Sequence, residues 1–371
     1  MFRKRTLVGI AATAAVAISL TGCAGVAAPQ SSSTAKPASA ASAADLGGLD
    51  ALITAAKAEG QLNVIALPDN WANYGEIKSS FEKKYGITVN SASPDISSAE
   101  EIAAADNLKG QDTAPDVFDL GTAVTLASTT YFAPYKVANW KDVPDANKES
   151  TGLYVNDYTG SMSIGYNSKA VPKPTTLDDL LGAKYKGAVA LNGDPTQAGA
   201  AFAAVGLATV QSGGKLDDFQ PGIDFFQKLN KAGNFIPVDA TQQTIASGET
   251  KVVFDWSYNN LAAAATVDGW KVTTLPGAAY TSFYNQAISK DAPHPAAARL
   301  WEEYLYSAEG QNLFLTGGAY PVTIAALTES KKIDTKALEV IGTLGGQVTP
   351  TDAQAKTAAA LLAAKWAAAV G

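Results

Sequence analysis

The chain has 371 residues, with 28 Lys and Arg residues against 35 Asp and Glu residues, which gives a formal net charge of −7. Because binding to nucleic acid requires a basic surface, this balance argues against a nucleic-acid partner. Beyond the first five residues the only arginine is Arg299. An anion site clamped by arginine is therefore not expected.

The first 22 residues have the features of a secretory signal peptide. A basic stretch at residues 3–5 precedes an apolar run, Leu7 to Leu20, that is shorter than the about 20 residues a membrane span requires. The next residues, Leu-Thr-Gly-Cys, resemble the lipobox of bacterial lipoproteins, in which cleavage leaves the cysteine lipidated. We expect residues 1–22 to be removed, Cys23 to carry the lipid, and the body to lie outside the cytoplasm, anchored to the cell membrane. The alternative is an ordinary signal peptide followed by a chance cysteine.

Residues 23–46 are predicted to form a flexible tether, because they are mainly Ala, Ser, Pro and Thr, with few large apolar side chains. Cys23 is the only cysteine, so the chain has no internal disulfide. Roughly 325 residues follow the tether, which is more than one hydrophobic core usually supports. We therefore expect two domains.

Strand-like and helix-like segments alternate through the rest of the chain, a pattern typical of α/β folds with mainly parallel sheets. Helices are predicted at 49–58, at about 77–85, at 98–108, from 196, at 222–231 and after Pro295. Strands are predicted at 62–67, 87–91, 116–120, 161–167, 188–191, 235–238, 252–256, 270–275 and 282–289. Ser98 and Glu101 have the spacing of a capping box, and Gly86 is placed to end the helix before it.

Several short segments together resemble the extracellular solute-binding proteins that handle polyamines, ferric iron and related small solutes. Besides the lipobox, they are ALPDNWA at 66–72, PDVFDLG at 115–121, IGYN at 164–167, NGDPT at 192–196, YNQAIS at 284–289 and AAARLW at 296–301. The resemblance implies the substrate-binding lipoprotein of an ABC importer. It also implies a monomer that binds a small molecule, contacts the permease subunits and uses no cofactor.

The same resemblance implies a type II periplasmic-binding-protein fold, in which two α/β lobes close on a ligand through a two-crossing hinge. We place the crossings near 161–167 and 273–284. The first lobe would then comprise residues 47–160 and 285–371, and the second lobe residues 161–284.

The candidate binding residues of the first lobe follow predicted strands, since open α/β sheets bind ligands beyond the carboxyl ends of their strands. Asp69, Asn70 and Trp71 follow the first strand, where Trp71 would form an aromatic wall and Asp69 a partner for a cation. The alternative is a turn that uses Asp and Asn for local backbone bonding. Asp119 ends a buried strand and either faces the cleft or caps the next helix.

Thr196 and Gln197 are candidates because they begin a predicted helix, whose free N–H groups can bind an anion. Asp194 can instead occupy that helix end as its cap. Tyr284 lies at the second predicted crossing, where it either faces the cleft or packs within the hinge.

The most informative run is Asp255, Trp256, Tyr258 and Asn259, because a hydrophobic strand delivers these polar and aromatic side chains to its end. The alternative is an aromatic corner with a capping Asp. Carboxylates beside aromatic rings favour an organic cation, with a polyamine as the lead. Ferric iron is an alternative, although residues 282–284 read Ser-Phe-Tyr where adjacent tyrosines are typical of iron binders. A phosphorylated or phosphonate anion at Thr196 is another.

The competing class is an exported hydrolase. His294 is the only histidine and lies between two prolines, as expected of a loop entering a helix, so a nucleophile–histidine–acid triad is not expected. Residues 160–165 lack the Gly-x-Ser-x-Gly spacing of a nucleophile elbow. A pair of carboxylates of the glycosidase type stays open. We expect a binding protein with no catalytic residues and no metal site.

Overall fold

The computed structural model describes residues 36–342 and 346–371, so the signal peptide and Cys23 lie outside the described residues. The strands are β1 Gln61–Ile65, β2 Thr88–Ala92, β3 Val117–Gly121, β4 Phe132–Ala133, β5 Val155–Asn167, β6 Val189–Leu191, β7 Phe235–Asp239, β8 Val252–Trp256, β9 Trp270–Thr273, β10 Ala279–Ser289, β11 Tyr320–Pro321 and β12 Gln347–Val348. The α-helices are α1 Leu49–Glu59, α2 Tyr74–Tyr85, α3 Ser98–Asn107, α4 Thr122–Ala127, α5 Gly199–Gln211, α6 Gln220–Lys231, α7 Gln242–Ser247, α8 Ser257–Thr266, α9 Pro295–Leu305, α10 Ala308–Thr316, α11 Ile324–Glu329, α12 Thr335–Ile341 and α13 Asp352–Val370. Within these ranges, no helix has both the length and the apolar character needed to cross a membrane.

Two long strands, β5 and β10, link the two parts of the molecule. The beginning of β5 pairs with β10 and β11, whereas its second half, from Met162, pairs with β8 and β9. The second half of β10 pairs with β3, and its first two residues pair with β12. Both strands therefore pass from one part to the other, as the two predicted crossings require.

We call the part that contains β1–β4 and α1–α3 the β3 side, and the part that contains β6–β9 and α5–α8 the β8 side. On the β3 side, β1 and β2 are parallel; on the β8 side, β6 is parallel to both β7 and β8. All four strands that pair with β5 are antiparallel to it. The sheets are thus mixed rather than mainly parallel, because the crossing strands run against their neighbours.

Hydrophobic periodicity predicts most helices correctly but not their first residues. In α2, Ile77 and Phe81 are buried, and Gly86 ends the helix in the left-handed conformation, as expected. The cap of α3 is Ser97, whose capping box involves Glu100 rather than Glu101. The predicted pair was one residue late because Ser98 has another role: its hydroxyl accepts a bond from the Gly121 N–H.

The folded body begins earlier than predicted. Residues 36–46 include two short 3₁₀ helices, Pro37–Ser39 and Ala43–Leu46, in which Ala43 is buried. The guanidinium of Arg299 is also buried and donates hydrogen bonds to the carbonyls of Ala38 and Ala40. Arg299 therefore fastens this segment to α9, and the predicted tether is wrong for residues 36–46.

Residues 285–371 were predicted to belong to the first lobe, which corresponds to the β3 side. The C-terminal helix α13 contacts both sides instead. Its end packs on the β8 side, where the ring of Trp366 lies 5.5 Å from that of Phe226 and 6.3 Å from that of Phe235. Near its start, Tyr154 donates a hydrogen bond to Asp352. The helix contacts both sides, because its end packs on aromatic rings of the β8 side while its first residue accepts the Tyr154 hydrogen bond.

His294 serves the helix entry predicted for it. Its backbone N–H lies 2.7 Å from Asp116 Oδ1, and its ring Nδ1 lies 2.9 Å from Asp116 Oδ2. Hydrogen bonding to this carboxylate raises the pKa of His294 above its ordinary value. The contact fixes the start of α9 against β3.

Candidate functional site

A cleft of about 200 Å³ opens between the β3 side and the β8 side. Its walls are the loops that follow β1, β2, β6 and β7, together with residues of β3 and β8. The carboxyl ends of the strands thus meet at the cleft, as the rule for open α/β sheets predicts.

The charge of the cleft has one sign. Among the described residues, its lining contains no Lys, Arg or His residue, whereas it includes seven acidic residues: Asp95, Glu100, Glu101, Asp119, Asp194, Asp239 and Asp255. Burial raises the pKa of Asp239, and the like charges of Asp194 and Glu100 raise it further. Glu100 belongs to the β3 side, so acidic groups face each other across the cleft.

Asp119 is the central acidic residue of the β3 side. Its side chain is buried, and Oδ2 accepts hydrogen bonds from the hydroxyls of Tyr158 at 2.8 Å and Tyr74 at 2.9 Å. No group within the described residues bonds to Oδ1. Burial raises the pKa of Asp119 to about 7, although the two tyrosine bonds oppose this shift. Oδ1 is therefore a buried acceptor without a donor among the described residues.

Glu101 lies beside Asp119 and was not predicted as a site residue. It is 1% exposed, and its Oε2 accepts a hydrogen bond from the Asp119 N–H at 3.2 Å. Burial and the neighbouring Asp119 charge raise the pKa of Glu101 well above its ordinary value. Two acidic groups therefore share this wall, and neither forms an ion pair within the described residues.

Asp255 is the corresponding acidic residue of the β8 side. Its Oδ1 accepts bonds from the Trp256 N–H at 2.7 Å and from Asn259 Nδ2 at 3.1 Å, and its Oδ2 accepts from Asn192 Nδ2 at 3.0 Å. Burial raises the pKa of Asp255 to about 6, against the effect of these bonds. The carboxylate is held rigidly at the edge of the cleft.

An aromatic cluster supports the floor of the cleft. Trp71 donates its indole N–H to Tyr158 at 2.6 Å, and its ring meets the rings of Tyr258 and Tyr284 edge-on at 5.8 and 5.4 Å. Gly160 makes this packing possible, since a Cβ there would lie 2.8 Å from the Tyr258 ring. Trp71 and Tyr284 line the cleft, and their contacts with the other rings hold them in place without a ligand.

Most predicted site residues line the cleft, and four do not. The residues that line it are Asn70, Trp71, Asp119, Gln197, Asp255, Asn259 and Tyr284. Asp69 is 83% exposed and forms an ion pair with Lys78 at 2.8 Å, so it was wrongly chosen as a ligand partner. Tyr258 is buried behind Trp71 and also does not line the cleft.

The other two misplaced residues line a smaller adjoining cavity of about 20 Å³. Thr196 lies there because both its N–H and its hydroxyl bond to Asp194, which forms a turn ahead of α5. Thr196 does not begin a helix as predicted, since α5 begins only at Gly199. Trp256 is buried beside the same cavity and donates its indole N–H to the Tyr284 hydroxyl at 3.4 Å.

Several lining residues were missed: Asp95, Ser97, Glu101, Asn192, Asp239 and Gln242. Asp95 and Ser97 follow β2, while Asp239 and Gln242 lie at or after the end of β7. Applying the strand-end rule to every predicted strand would have found these four and also Asn192, which follows β6. Glu101 had no such signal, because its burial depends on how α3 packs against β3.

The two sides already touch at the mouth of the cleft. The Ala99 N–H, in the first turn of α3, donates a hydrogen bond to the carbonyl of Gln197 at 3.2 Å. This backbone hydrogen bond joins the β3 side directly to the β8 side.

The family model for bacterial extracellular solute-binding proteins matches residues 115–342. The chain belongs to this family. None of the curated proteins matches it in sequence. Members of the family bind small solutes outside the cytoplasm for the permeases of ABC importers, and this solute-binding protein is of that kind.

Solved structures of low sequence identity share the fold. The periplasmic binding protein AfuA from Actinobacillus pleuropneumoniae, with fructose-6-phosphate bound, is 16% identical with a TM-score of 0.64, and the alignment covers 84% of this chain and 98% of that one. A putative spermidine/putrescine ABC transporter from Listeria monocytogenes is 14% identical with a TM-score of 0.58, covering 83% and 99%. A ferric binding protein from Campylobacter jejuni is 15% identical with a TM-score of 0.58, covering 83% and 99%. The predicted type II periplasmic-binding-protein fold is confirmed.

Proposed function

We propose that this solute-binding protein captures an organic cation, with a polyamine as the lead, and delivers it to its permease. The observation that supports this proposal is the charge of the cleft, where seven acidic residues meet without a lysine, arginine or histidine among the lining residues. A buried carboxylate is costly unless it is paired with a cation or fully hydrogen-bonded. The ligand is the group that would supply the missing positive charge.

The donors and acceptors of the cleft suit an ammonium group. An ammonium has N–H donors and no acceptor, and it forms short, charge-assisted bonds with carboxylates. Asp119 Oδ1 offers such an acceptor, because no described residue bonds to it. The rings of Trp71 and Tyr284 add apolar surface and cation–π attraction next to it.

The two alternatives from the sequence have less support. Ferric iron would require hard tyrosine oxygens, but Tyr284 is the only tyrosine of the cleft lining, and Tyr74 and Tyr158 donate their hydroxyls to Asp119. A phosphorylated anion would meet the seven acidic residues and would find the Thr196 N–H already bonded to Asp194. A cation is favoured over both.

The remaining parts of the proposal concern movement and location. Residues 36–160 and 285–342 would form one lobe and residues 161–284 the other, closing about β5 and β10, while α13 would contact both lobes. The protein would act as a monomer without catalysis, since binding to a permease requires no chemical step. The Leu-Thr-Gly-Cys run supports anchoring to the cell membrane through lipidated Cys23.

A ligand panel tests this function. Thermal unfolding would be followed with putrescine, spermidine, thiamine, ferric citrate, phosphate, phosphonates and sugar phosphates at equal ionic strength. We expect a cation to raise the midpoint with increasing concentration, as linkage between binding and folding requires. Selective stabilisation by an anion would refute the cation proposal and leave the transport role intact. Turnover of any bound compound would refute the absence of catalysis.

A further inference from the structure

A network of buried acidic groups extends from the cleft into the β3 side. Glu101, Asp119 and Asp157 are 1%, 5% and 0% exposed. The Tyr74 hydroxyl lies between two of them, at 2.9 Å from Asp119 Oδ2 and 3.4 Å from Asp157 Oδ2. Gln286 Nε2 bonds both to this hydroxyl at 2.9 Å and to Asp157 Oδ2 at 3.1 Å.

If both carboxyls are ionised, this network has one hydrogen-bond donor too few. The Tyr74 hydroxyl has a single proton, which it can donate to Asp119 or to Asp157 but not fully to both. The remaining donors to these two carboxyls are neutral: the Tyr158 hydroxyl, the Tyr158 N–H and Gln286 Nε2. An additional proton on one carboxyl would turn the unsatisfied contact into a hydrogen bond.

Within the part of the chain that the structure describes, these acids have no cationic partner. The titratable groups that face the pair are all acids or phenols: Tyr74 on α2, Glu101 on α3, Tyr158 on β5, Tyr258 on α8, Tyr284 on β10, and Tyr306 after α9. None of the ion pairs in the described part of the chain involves Glu101, Asp119 or Asp157. Burial, together with the neighbouring Asp119 charge, raises the pKa of Asp157 well above its ordinary value.

We propose that the empty cleft holds a proton on the Asp119–Asp157 pair, shared through Tyr74, and that a cation releases this proton when it binds. The inference rests on the proposed function, because it takes the ligand to be a cation. The O–H bond of the carboxylic acid breaks, the proton passes to a base in the solvent, and an ammonium N–H of the ligand bonds to Asp119 Oδ1 instead. The net charge buried at the wall is then unchanged.

Proton release makes capture depend on pH. Below the apparent pKa of the pair, each unit of pH should change the affinity about tenfold, and above it the affinity should level off. The protein would thus bind its solute more weakly in acidic surroundings. Asp157 would act as a positioning residue, since it controls the charge of Asp119 without lining the cleft.

The proton can be tested first in the empty protein. Infrared spectra at about pH 6 should show the carbonyl stretch of protonated carboxylic acids, and the part of this band that belongs to the pair should disappear as the pH rises and be lost or reduced in Asp119→Asn and Asp157→Asn. Asp268→Asn is the matched control, because Asp268 is an exposed acid paired with Lys169 far from this network. If the band is the same in the parent and in both variants, the inference is overturned without any experiment on a ligand.

Calorimetry tests the link to binding. The stronger binder of putrescine and spermidine would be titrated in PIPES and in MOPS, whose ionisation enthalpies differ. We expect release of about 0.5 to 1 proton per ligand at about pH 7 and nearly none at about pH 8.5. In Asp157→Asn, removal of the neighbouring charge should shift release to lower pH.

Asp157→Asn should fold, because Gln286 can rotate to offer its Oε1, which has no hydrogen-bond partner among the described residues. Cation binding without proton release would overturn this inference and leave the proposed function standing. Failure of every cation, combined with binding of an anion, would overturn the proposed function instead. The infrared band would still decide whether the empty cleft holds the proton.

Discussion

Replacing Asp255 with asparagine separates the needs of the ligand from those of the fold. The asparagine has the same shape, and its oxygen can still accept from the Trp256 N–H and Asn259 Nδ2, as Asp255 Oδ1 does. Its NH₂ group would face Asn192 Nδ2, but the Asn192 side chain can rotate to present its own oxygen. The substitution therefore removes a charge and keeps the packing.

The substitution should affect the stability of the empty protein and its affinity for a cation in opposite directions. Burial raises the pKa of Asp255 to about 6, so keeping this group ionised at pH 8 costs the empty protein about 3 kcal/mol relative to a carboxyl with the ordinary pKa of about 3.9. The empty Asp255→Asn protein should consequently be at least as stable as the parent at pH 8. Loss of a buried charge partner should weaken cation binding by about 2 to 5 kcal/mol, or about 30-fold to several thousand-fold.

Chemical denaturation would measure the stability, and calorimetry with the best cation would measure the affinity. Asp268→Asn removes the same charge from an exposed site and should change neither quantity much. Unchanged cation affinity in a folded Asp255→Asn protein would refute the role given to this carboxylate. A large loss of stability in the empty variant would refute the argument that its charge is a cost to the fold.

Three further predictions concern anchoring, closure and pH. Cys23→Ser should release the protein from membranes or leave its precursor uncleaved, whereas attachment as firm as in the parent would contradict lipidation. Saturating ligand should reduce the radius measured by small-angle scattering, and an unchanged radius would count against closure about β5 and β10. Because burial raises the pKa of Asp119 to about 7, the stability it contributes is greatest below about pH 4 and is lost as the pH rises towards 7. Asp119→Asn should make stability depend less on pH between about pH 4 and 7. If the stability curves of the parent and the variant run parallel over this range, the raised pKa of Asp119 is contradicted.

The order of the elements was predictable from the sequence, but their exact limits were not. Apolar periodicity identified α2, and strand-like runs identified β1, β3 and β8, because these patterns depend on local geometry. The ordered segment 36–46 could not be found this way, since it is held by the distant guanidinium of Arg299. The position of α13 across both sides likewise depends on distant aromatic contacts.

The candidate site was partly predictable for the same reason. Strand ends fix where the backbone reaches the cleft, and Trp71, Asp119 and Asp255 do line it. The direction of a side chain within a loop depends on the local turn, so Asp69 points to Lys78 although Asn70 lines the cleft. These directions require the three-dimensional structure.

A crystal structure of the protein with the best ligand of the panel would test the central claim most directly. The account predicts that a positively charged nitrogen lies within about 2.7–2.9 Å of Asp119 Oδ1, the distance of a charge-assisted hydrogen bond. It also predicts that the rings of Trp71 and Tyr284 contact the ligand. A phosphate, another anion or a neutral group in contact with Asp119 Oδ1 would contradict the account.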